Sequence, residues 1–223
     1  MPLAAYFRPK NLSEFYGQKK IINESSWFYQ AIKADRVPSL IFWGPPGSGK
    51  TTLAFIIANE TKAEFIELSA TSSGVKDLKQ IVNRAKDCKR LGQKTILFID
   101  EIHRWNKSQQ DALLPQVENG VITLIGATTE NPSFAVNGAL LSRLKVLVLE
   151  ALNEQDLEKI IKLAAKKLNI KLKNDIIALI SRLANGDARR GLSILESAAE
   201  HQGEITLGLI KDIINKPGLL YEG

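Results

Sequence analysis

The stretch LIFWGPPGSGKTTL, from Leu40 to Leu53, decides the fold. Its apolar start ends in a glycine-rich turn, and the residues after the turn follow a helical pattern. Gly44, Gly49, Lys50 and Thr51 have the spacing G-x-x-x-x-G-K-[ST], in the strand–loop–helix context that this motif requires. The glycines let backbone amides turn inward around phosphate oxygens, and the helix N-terminus adds partial positive charge. The stretch therefore predicts a phosphate-binding loop.

The residue types in this loop predict a nucleotide and a magnesium ion as its ligands. Lys50 is expected to reach the β- and γ-phosphates, and the Thr51 hydroxyl to bind Mg²⁺. A glycine–proline turn without a ligand is the alternative, which the flanking strand and helix disfavour. The residues assigned to nucleotide binding here are Gly44, Pro45, Pro46, Gly47, Ser48, Gly49, Lys50, Thr51 and Thr52.

Further short apolar runs predict a parallel sheet. They lack polar alternation, as expected for strands that helices cover on both faces. Helical patterns separate them, for example over Lys50–Asn59 and Lys76–Lys89. We therefore predict an α/β fold with a five-stranded parallel sheet and helices on both faces. The predicted strands are Leu40–Trp43, Phe65–Leu68, Thr95–Ile99, Thr123–Ala127 and Val146–Leu149.

After Leu149 the strand patterns stop, and apolar residues recur at helical spacing in four segments. A residue with a polar side chain precedes each segment where an N-cap would lie. We predict two domains, a P-loop domain over residues 1–150 and a small all-helical lid over residues 151–223. The four expected N-caps are Asn153, Asn174, Asp187 and Thr206.

Two adjacent carboxylates, Asp100 and Glu101, follow the third apolar run. Ligands of parallel α/β sheets lie at the carboxyl ends of the strands, so this pair is expected beside the phosphate loop. Asp100 suits Mg²⁺, through water, and Glu101 suits a base that polarises an attacking water. A pair of solvated turn carboxylates is the alternative. We favour a structural role for His103 over a ligand or base, since it has no His or Cys partner nearby.

Composition restricts the class of protein. The net charge is +6, and all of it lies in residues 1–149, because eleven basic residues balance eleven acidic ones from Glu150 onward. A basic excess confined to one part suggests a polyanionic partner, with solubility as the alternative. The single cysteine, Cys88, excludes a disulfide framework and a zinc module. Without a secretory signal or an apolar run of membrane-spanning length, we expect a cytoplasmic protein, nucleoid-associated if bacterial.

With GPPGSGKT and FIDEIH in place, the chain resembles AAA+ ATPases. NKSQQDALLPQVENG (Asn106–Gly120), IGATTENPSFAVNGALLSR (Ile125–Arg143) and GDARRGLSILE (Gly186–Glu196) are very similar to the replication-associated recombination ATPases, the RarA/MgsA family. YFRPKNLSEFYGQ (Tyr6–Gln18) looks like the clamp-loader-type segment that packs near the adenine. That similarity assigns Arg8, Pro9, Gly17 and Gln18 to nucleotide binding.

The resemblance implies three further catalytic roles. Thr129 falls at the sensor position that ends the fourth strand and holds the lytic water, with Thr128 as the neighbouring candidate. Arg143 matches the arginine finger, which acts in trans on the γ-phosphate bound by the adjacent subunit. Arg189 matches the second sensor, which the lid carries and which acts within its own subunit. The alternatives are a surface arginine for Arg143 and a helix-end cation or ion-pair partner for Arg189.

The resemblance also implies partners and a function. We expect ATP hydrolysis, dependent on Mg²⁺ and stimulated by DNA, at stalled or gapped replication forks in recombination and repair. Related ATPases contact DNA backbone from the helices after the second and third strands, here near Ser72–Lys76 and Asn106–Ser108, or else these residues form an ordinary solvated helix face. The expected partners are forked, gapped or single-stranded-tailed DNA ends, single-stranded-DNA-binding protein and replisome components, without a membrane. The candidate DNA contacts are Lys76, Lys79, Arg84, Arg104 and Lys107.

Two other functions stay open. A clamp-loader subunit that loads a sliding clamp is disfavoured by Leu144, where small clamp-loader subunits usually carry Cys, and by the missing four-cysteine zinc module. A scaffold that binds ATP without turnover is disfavoured by Lys50, Asp100, Glu101 and Arg143. Family members form tetramers through a collar that follows the lid. Since this chain stops at KPGLLYEG, we expect an excised portion or a short member, a homo-oligomer that associates weakly through its ATPase interface.

Overall fold

The computed structural model describes residues 3–71, 73–201 and 203–215, and its centre is a five-stranded sheet. Every neighbouring pair of strands is parallel, in the order β2-β3-β4-β1-β5. The predicted α/β fold with a five-stranded parallel sheet is confirmed. The strands are β1 (Leu40–Trp43), β2 (Glu64–Ser69), β3 (Thr95–Asp100), β4 (Thr123–Thr128) and β5 (Lys145–Val148).

Helices cover the sheet and then form a separate bundle. The helices up to the end of the sheet are α1 (Leu3–Tyr6), α2 (Trp27–Lys33), α3 (Lys50–Glu60), α4 (Val75–Arg90), α5 (Lys107–Asp111), α6 (Leu114–Glu118), α7 (Pro132–Ala135) and α8 (Gly138–Leu141). Short 3₁₀ turns lie at Leu12–Glu14 and Ile102–Arg104. The helices after β5 are α9 (Glu154–Lys167), α10 (Asn174–Ala184), α11 (Ala188–Ala199) and α12 (Leu207–Asn215).

The predicted strands differ from the observed ones at their ends. β2, β3 and β4 extend beyond the apolar runs by one or two polar residues, and β5 begins and ends one residue earlier than predicted. Backbone pairing continues into polar residues that periodicity cannot assign. Asp100, for example, is the last residue of β3 and pairs with Ser69 of β2. The strand ends therefore carry polar side chains at one edge of the sheet.

Successive residues of the strands enter two different cores. Ile41, Leu97 and Ile99 pack on one face, against α4 and the helices that follow β3 and β4. Phe42 and Phe98 pack on the other face, against α2 and α3. This alternation follows from the period of two along a strand. It explains why β1, β3 and β4 are largely apolar, since both of their faces are covered, whereas Val146 and Val148 of β5 are exposed.

The helices after β5 have a core of their own, built mostly from one face of each of α9 to α12. Three of the four expected N-caps are confirmed: Asn153, Asp187 and Thr206 accept hydrogen bonds from the backbone amides three residues on. The expected cap at Asn174 is wrong by one residue, since α10 already includes Asn174 and Lys173 lies at the cap.

The first helix, α1, packs against this helical bundle and not against the sheet. Ala4 and Phe7 contact the bundle core, and the Lys167 ammonium lies 5.7 Å from the centre of the Phe7 ring. The backbone amide of Leu3 lies 3.3 Å from both carboxylate oxygens of Glu196 in α11. The chain then crosses to the sheet, where Leu12 and Phe15 pack against the α3 side.

None of the helices in the described segments is long and apolar enough to cross a bilayer. Ser72, where the first DNA-contacting segment was expected to begin, and KPGLLYEG at residues 216–223 lie outside the described residues.

We predict that Phe98→Ala lowers the free energy of unfolding by about 3–5 kcal/mol, because it leaves a cavity in a closed core. Phe98 is fully buried and stacks on Phe65 with 6.0 Å between ring centres. The matched control is Phe134→Ala, since Phe134 is 91% exposed and its loss is expected to cost less than about 0.5 kcal/mol. Urea titration of the two variants measures both values, and equal losses would contradict this assignment of the core.

Candidate nucleotide site

The loop between β1 and α3 needs its glycines for two reasons. Gly47 and Gly49 have φ of 65° and 99°, a region that favours glycine. At Gly44 the reason is space, because a Cβ there would lie 2.3 Å from the carbonyl oxygen of Leu149. The loop is thus held at the carboxyl edge of the sheet, between β4 and β5, with its amides at the N-terminus of α3.

Lys50 is the first residue of α3 and is buried. Its Nζ donates to the carbonyl oxygens of Gly44, at 2.7 Å, and of Pro45, at 2.8 Å. Burial lowers the pKa of the Lys50 amine below its usual value, while the carboxylates of Asp100 and Glu101 oppose that shift. The charge predicted to meet a phosphate therefore lies inside the loop, within electrostatic reach of both carboxylates.

Ser48 offers a polar atom that the described part of the chain leaves without a hydrogen-bond partner. The residue is 1% exposed, and its Oγ is a buried orphan in the middle of the phosphate loop. A buried hydroxyl without a partner is costly unless a ligand or water satisfies it. Together with the buried Lys50, it fits a bound polyphosphate.

Asp100 lies at the end of β3 and responds to the same charges. Burial raises the pKa of its carboxyl and so does Glu101, while a 3.1 Å hydrogen bond from the Glu101 amide, Lys50 and Arg189 lower it. Within the described segments no three His, Cys, Asp or Glu side chains form a metal-binding cluster. Mg²⁺ does not need one, since it takes few protein ligands and keeps several waters. Thr51 and Asp100 are the residues that could hold it.

Glu101 has a left-handed backbone, with φ of 56°, which is uncommon for a residue other than glycine. Its carboxylate Oε2 lies 3.2 Å from His103 Nε2 and 3.8 Å from Arg104 Nε. The sequence placed Glu101 after the strand but contained no signal for this turn. His103 is therefore in contact with the expected catalytic base.

The end of β4 corrects one prediction. The strand ends at Thr128 and not at Thr129, because Thr128 still pairs with Trp43 of β1. Thr128 is fully buried, and its Oγ1 lies 2.9 Å from His103 Nδ1 and accepts from the Glu130 amide at 3.0 Å. Thr129 is exposed beyond the strand end. The Thr128 hydroxyl is thus engaged internally, and the water-holding role of Thr129 stays a prediction.

The N-terminal segment reaches the loop through Gln18. Its side-chain amide donates to the carbonyls of Ser48, at 3.2 Å, and Glu150, at 2.7 Å, and its Oε1 accepts from the Glu150 amide at 3.0 Å. Gly17 and Gln18 line a cavity of about 170 Å³ that also includes Val148. Arg8 and Pro9 are not among the cavity's lining residues. The Arg8 guanidinium instead lies 6.0 Å from the ring centre of Phe55 in α3. Gly17 and Gln18 thus share this cavity, and the assignment of all four residues to nucleotide binding stays a prediction.

The start of α11 lies directly on the phosphate loop. The Ala188 amide donates to the Gly47 carbonyl at 3.3 Å, and a Cβ on Gly47 would come within 1.8 Å of the Asp187 carboxylate. The next residue, Arg189, is exposed, and its positive charge lowers the pKa of both Lys50 and Asp100. The structure therefore places Arg189 beside the loop of its own chain. Sequence reasoning missed Asp187 as a loop contact, having assigned it only as a cap.

Arg143 lies just after α8, and its partners belong to α6 and α8. Its guanidinium Nη2 lies 2.5 Å from the Glu118 carboxylate, and its Nη1 donates to the Ala139 carbonyl at 2.7 Å. Arg189 is among the charges that shift the Lys50 pKa, whereas Arg143 is not. In the described part of the chain, Arg143 thus does not contribute to the nucleotide site of its own subunit.

The five candidate DNA contacts fall into two groups. Lys76, Lys79 and Lys107 are exposed at the starts of α4 and α5. Arg84 instead forms an ion pair with Glu64, and Arg104 lies beside Glu101. The exposed face of α4 carries further polar and basic residues that were not predicted as DNA contacts. Their spacing of three and four residues, which places them on one helix face, could have indicated them. At 100° per residue an arc of about 80° contains Lys76, Lys79, Asn83, Lys86 and Arg90, here called the α4 basic stripe.

Comparison with known proteins identifies relatives over nearly the whole chain. The family model of the Holliday junction DNA helicase RuvB P-loop domain matches residues 7–137. Replication-associated recombination protein A of Escherichia coli K12 is 46% identical over 206 residues, which cover 89% of this chain and 46% of that protein. The protein of the same name from Haemophilus influenzae is 42% identical, covering 96% of this chain and 51% of the relative.

The chain is also similar to a relative of another name and to a solved structure. The ATPase WRNIP1 of Dictyostelium discoideum is 42% identical over 96% of this chain and 26% of its own length. Among solved structures, Thermotoga maritima RuvB, a Holliday junction branch migration motor, superposes with a TM-score of 0.80 at 27% identity, covering 94% of this chain and 72% of that one. The chain spans about half the length of the bacterial curated relatives it matches.

We predict that magnesium-dependent nucleotide binding weakens as the pH falls, at a higher pH than an ordinary aspartate would give. The raised pKa of Asp100 means that protons compete with Mg²⁺ above the usual value of 3.8. On the alkaline side, the lowered pKa of Lys50 removes its positive charge before the usual value of 10.5. Affinity for a fluorescent ATP analogue, with and without Mg²⁺, measures both limbs.

The matched variant is Asp100→Asn, which is expected to bind the Mg²⁺ complex weakly and to lose the acid limb. An unchanged acid limb in Asp100→Asn would show that another group controls the metal.

Proposed function

The chain belongs to the replication-associated recombination protein A (RarA) family of AAA+ ATPases, and from this we propose that it hydrolyses ATP with Mg²⁺, under stimulation by DNA, at stalled or gapped replication forks. The observation that carries the proposal is the grouping of Lys50, Asp100 and Arg189 around one glycine-rich loop, where each charge shifts the pKa of another. Perturbed titratable groups that converge on a cleft are typical of functional sites.

Each residue around the loop has a role that its position supports. The loop amides and Lys50 bind the phosphates, and the N-terminus of α3 adds positive potential. Thr51 and Asp100 hold Mg²⁺, which supplies charge neutralisation on the phosphates when bound. Glu101 polarises the attacking water, and Thr129, exposed just beyond the end of β4, orients it. Arg189 adds positive charge from the lid side of the same subunit.

We assign residues 1–150 to the ATPase unit and residues 151–223 to the lid. Support comes from the separate helical core after β5 and from the contact of α11 with the phosphate loop. Since Gln18 bonds both to the loop at Ser48 and to the chain at Glu150, it joins the loop to the segment that leads into the lid. A change at the phosphates is thereby transmitted to the lid through few bonds.

We assign Arg143 to the site of an adjacent subunit. Its guanidinium is held on the surface by Glu118 and the Ala139 carbonyl. Such a fixed, exposed guanidinium can neutralise charge on a neighbour's γ-phosphate, an effect worth about 10³–10⁵ in rate. We therefore propose that subunits associate through the ATPase interface. The tetramer is proposed for full-length proteins of the family, which are about twice as long as this chain.

We assign DNA backbone binding to the α4 basic stripe and to Lys107 at the start of α5. The stripe presents four cations on one exposed helix face, of which Arg90 is ion-paired with Asp87 at 3.0 Å, and Arg84 is engaged with Glu64. Cations on a regular face match the regular charges of phosphates and read no base. The stripe suits forked, gapped or tailed DNA ends, where shape and backbone decide the binding.

We predict that Arg143→Ala lowers ATP turnover about 10³-fold or more and leaves ATP affinity within about twofold. The reason is that Arg143 acts on a neighbour's phosphate and not on nucleotide binding in its own subunit. The matched control, Arg182→Ala, removes an exposed arginine of α10 and is expected to leave turnover unchanged. Steady-state ATPase rates, measured against protein concentration, are expected to rise per subunit as sites are shared.

Mixing two inactive variants tests the trans assignment directly. Arg143→Ala keeps a complete site of its own, and Glu101→Gln supplies an intact Arg143, so their mixture is expected to regain activity. If the mixture stays inactive while the wild-type rate depends on concentration, Arg143 acts in its own subunit.

A sliding clamp added in place of DNA tests the clamp-loader alternative. Stimulation of ATP turnover by the clamp would favour that alternative.

We predict that replacing Lys76, Lys79, Lys86 and Arg90 by Ala weakens binding of a single-stranded-tailed duplex and flattens its salt dependence. Each lost contact to duplex phosphate is expected to reduce the slope of log affinity against log salt by about 0.9. The control replaces four lid lysines, Lys162, Lys166, Lys171 and Lys173, and is expected to keep the slope. Fluorescence anisotropy over a salt series measures it, and equal slopes in the two variants would remove the stripe from the interface.

A further inference from the structure

His103 is nearly enclosed, and each ring nitrogen has a polar neighbour. Its side chain is 7% exposed. Nδ1 lies 2.9 Å from the Thr128 hydroxyl at the end of β4. Nε2 lies 3.2 Å from the Glu101 carboxylate and 3.6 Å from that of Glu130. A histidine with only a packing role does not require this arrangement.

The groups around His103 determine which ring nitrogen carries a hydrogen. Ionised carboxylates only accept hydrogen bonds, so a nitrogen that faces two of them carries a hydrogen. Nε2 of His103 is therefore a donor whether the ring is neutral or cationic. The Thr128 hydroxyl can act as donor or acceptor toward Nδ1, so it satisfies the ring in both charge states. The donor toward Glu101 is thus present in either state.

The ring is fixed more firmly than the carboxylate it contacts. Thr128 is fully buried and paired within the sheet, and Ile102, next to His103, is fully buried as well. The Glu101 side chain is 35% exposed and follows a left-handed backbone outside the strand. Arg104, the other cation near Glu101, is 61% exposed and more distant, at 3.8 Å. His103 is consequently the rigid contact of Glu101, and Arg104 a weaker one.

We propose that His103 is a positioning residue that orients Glu101 toward the attacking water and joins it to the end of β4. This role rests on the proposed function, in which Glu101 is the base. Through Thr128 the ring is tied to the residue that precedes Thr129, so one side chain sets the relative positions of the base and of the water-holding hydroxyl. Glu130 is a second acceptor for the same Nε2 hydrogen and limits how strongly Glu101 is held.

The test uses two substitutions of His103 whose side-chain amides each replace one nitrogen of the imidazole ring. His103→Asn keeps a donor near the position of Nδ1 and loses the one toward Glu101, whereas His103→Gln places a donor near the position of Nε2. We expect His103→Asn to lower kcat about tenfold or more with the KM for ATP within twofold, a part of the 10²–10⁴ that a general base contributes. His103→Gln is expected to recover most of kcat. His201→Asn, the same change at the exposed histidine, is the control and is expected to keep kcat.

Combination with Glu101→Gln separates this inference from the proposed function. If His103 acts through Glu101, His103→Asn has no further effect on kcat in the Glu101→Gln background. Equal fractional losses in both backgrounds, or equal losses in His103→Asn and His103→Gln, would overturn the positioning role. If Glu101→Gln alone keeps wild-type turnover, the assignment of the base in the proposed function fails instead. Thermal melting of each variant shows that the comparison is made between folded proteins.

Discussion

The buried ammonium of Lys50 is the constraint on which the rest of the site depends. A charge taken out of water is costly unless polar partners surround it. Here the carbonyls of Gly44 and Pro45 accept from it directly, and Asp100 lies within electrostatic reach at the end of the next strand but one. Bringing those carbonyls to the amine requires the sharp glycine turn. Bringing Asp100 near requires parallel strands that end at the same edge.

The same edge explains why the residues proposed for catalysis come from distant parts of the sequence. β1 supplies the loop, β3 supplies Asp100, and β4 ends in a buried threonine that anchors His103. Each group follows a strand whose position the apolar cores fix on both faces. Gln18 reaches the loop from the N-terminal segment, and Arg189 comes from the start of α11. The sheet therefore positions most of the site, and the lid adds the positive charge of Arg189.

Much of this arrangement could be predicted because it follows from local patterns. Apolar runs without polar alternation give the buried strands, and the spacing of Gly44, Gly49 and Lys50 gives the loop. The left-handed turn at Glu101 could not be predicted, because glutamate has no preference for this conformation and no local pattern indicates it. The ion pair of Arg84 with Glu64 and the Gln18 bonds across the chain were equally hidden. They depend on which elements meet in space, which periodicity along one chain does not encode.

The docking of α1 on the helical bundle has a mechanical consequence. The polypeptide crosses between sheet and bundle twice, once between Phe7 and Leu12 and once between Glu150 and Asn153. A body pinned at two points turns freely only about the line that joins the pins. Together with the contact of α11 on the phosphate loop, the two crossings restrict how the bundle can turn relative to the sheet, and Arg189, carried on α11, shares that restriction.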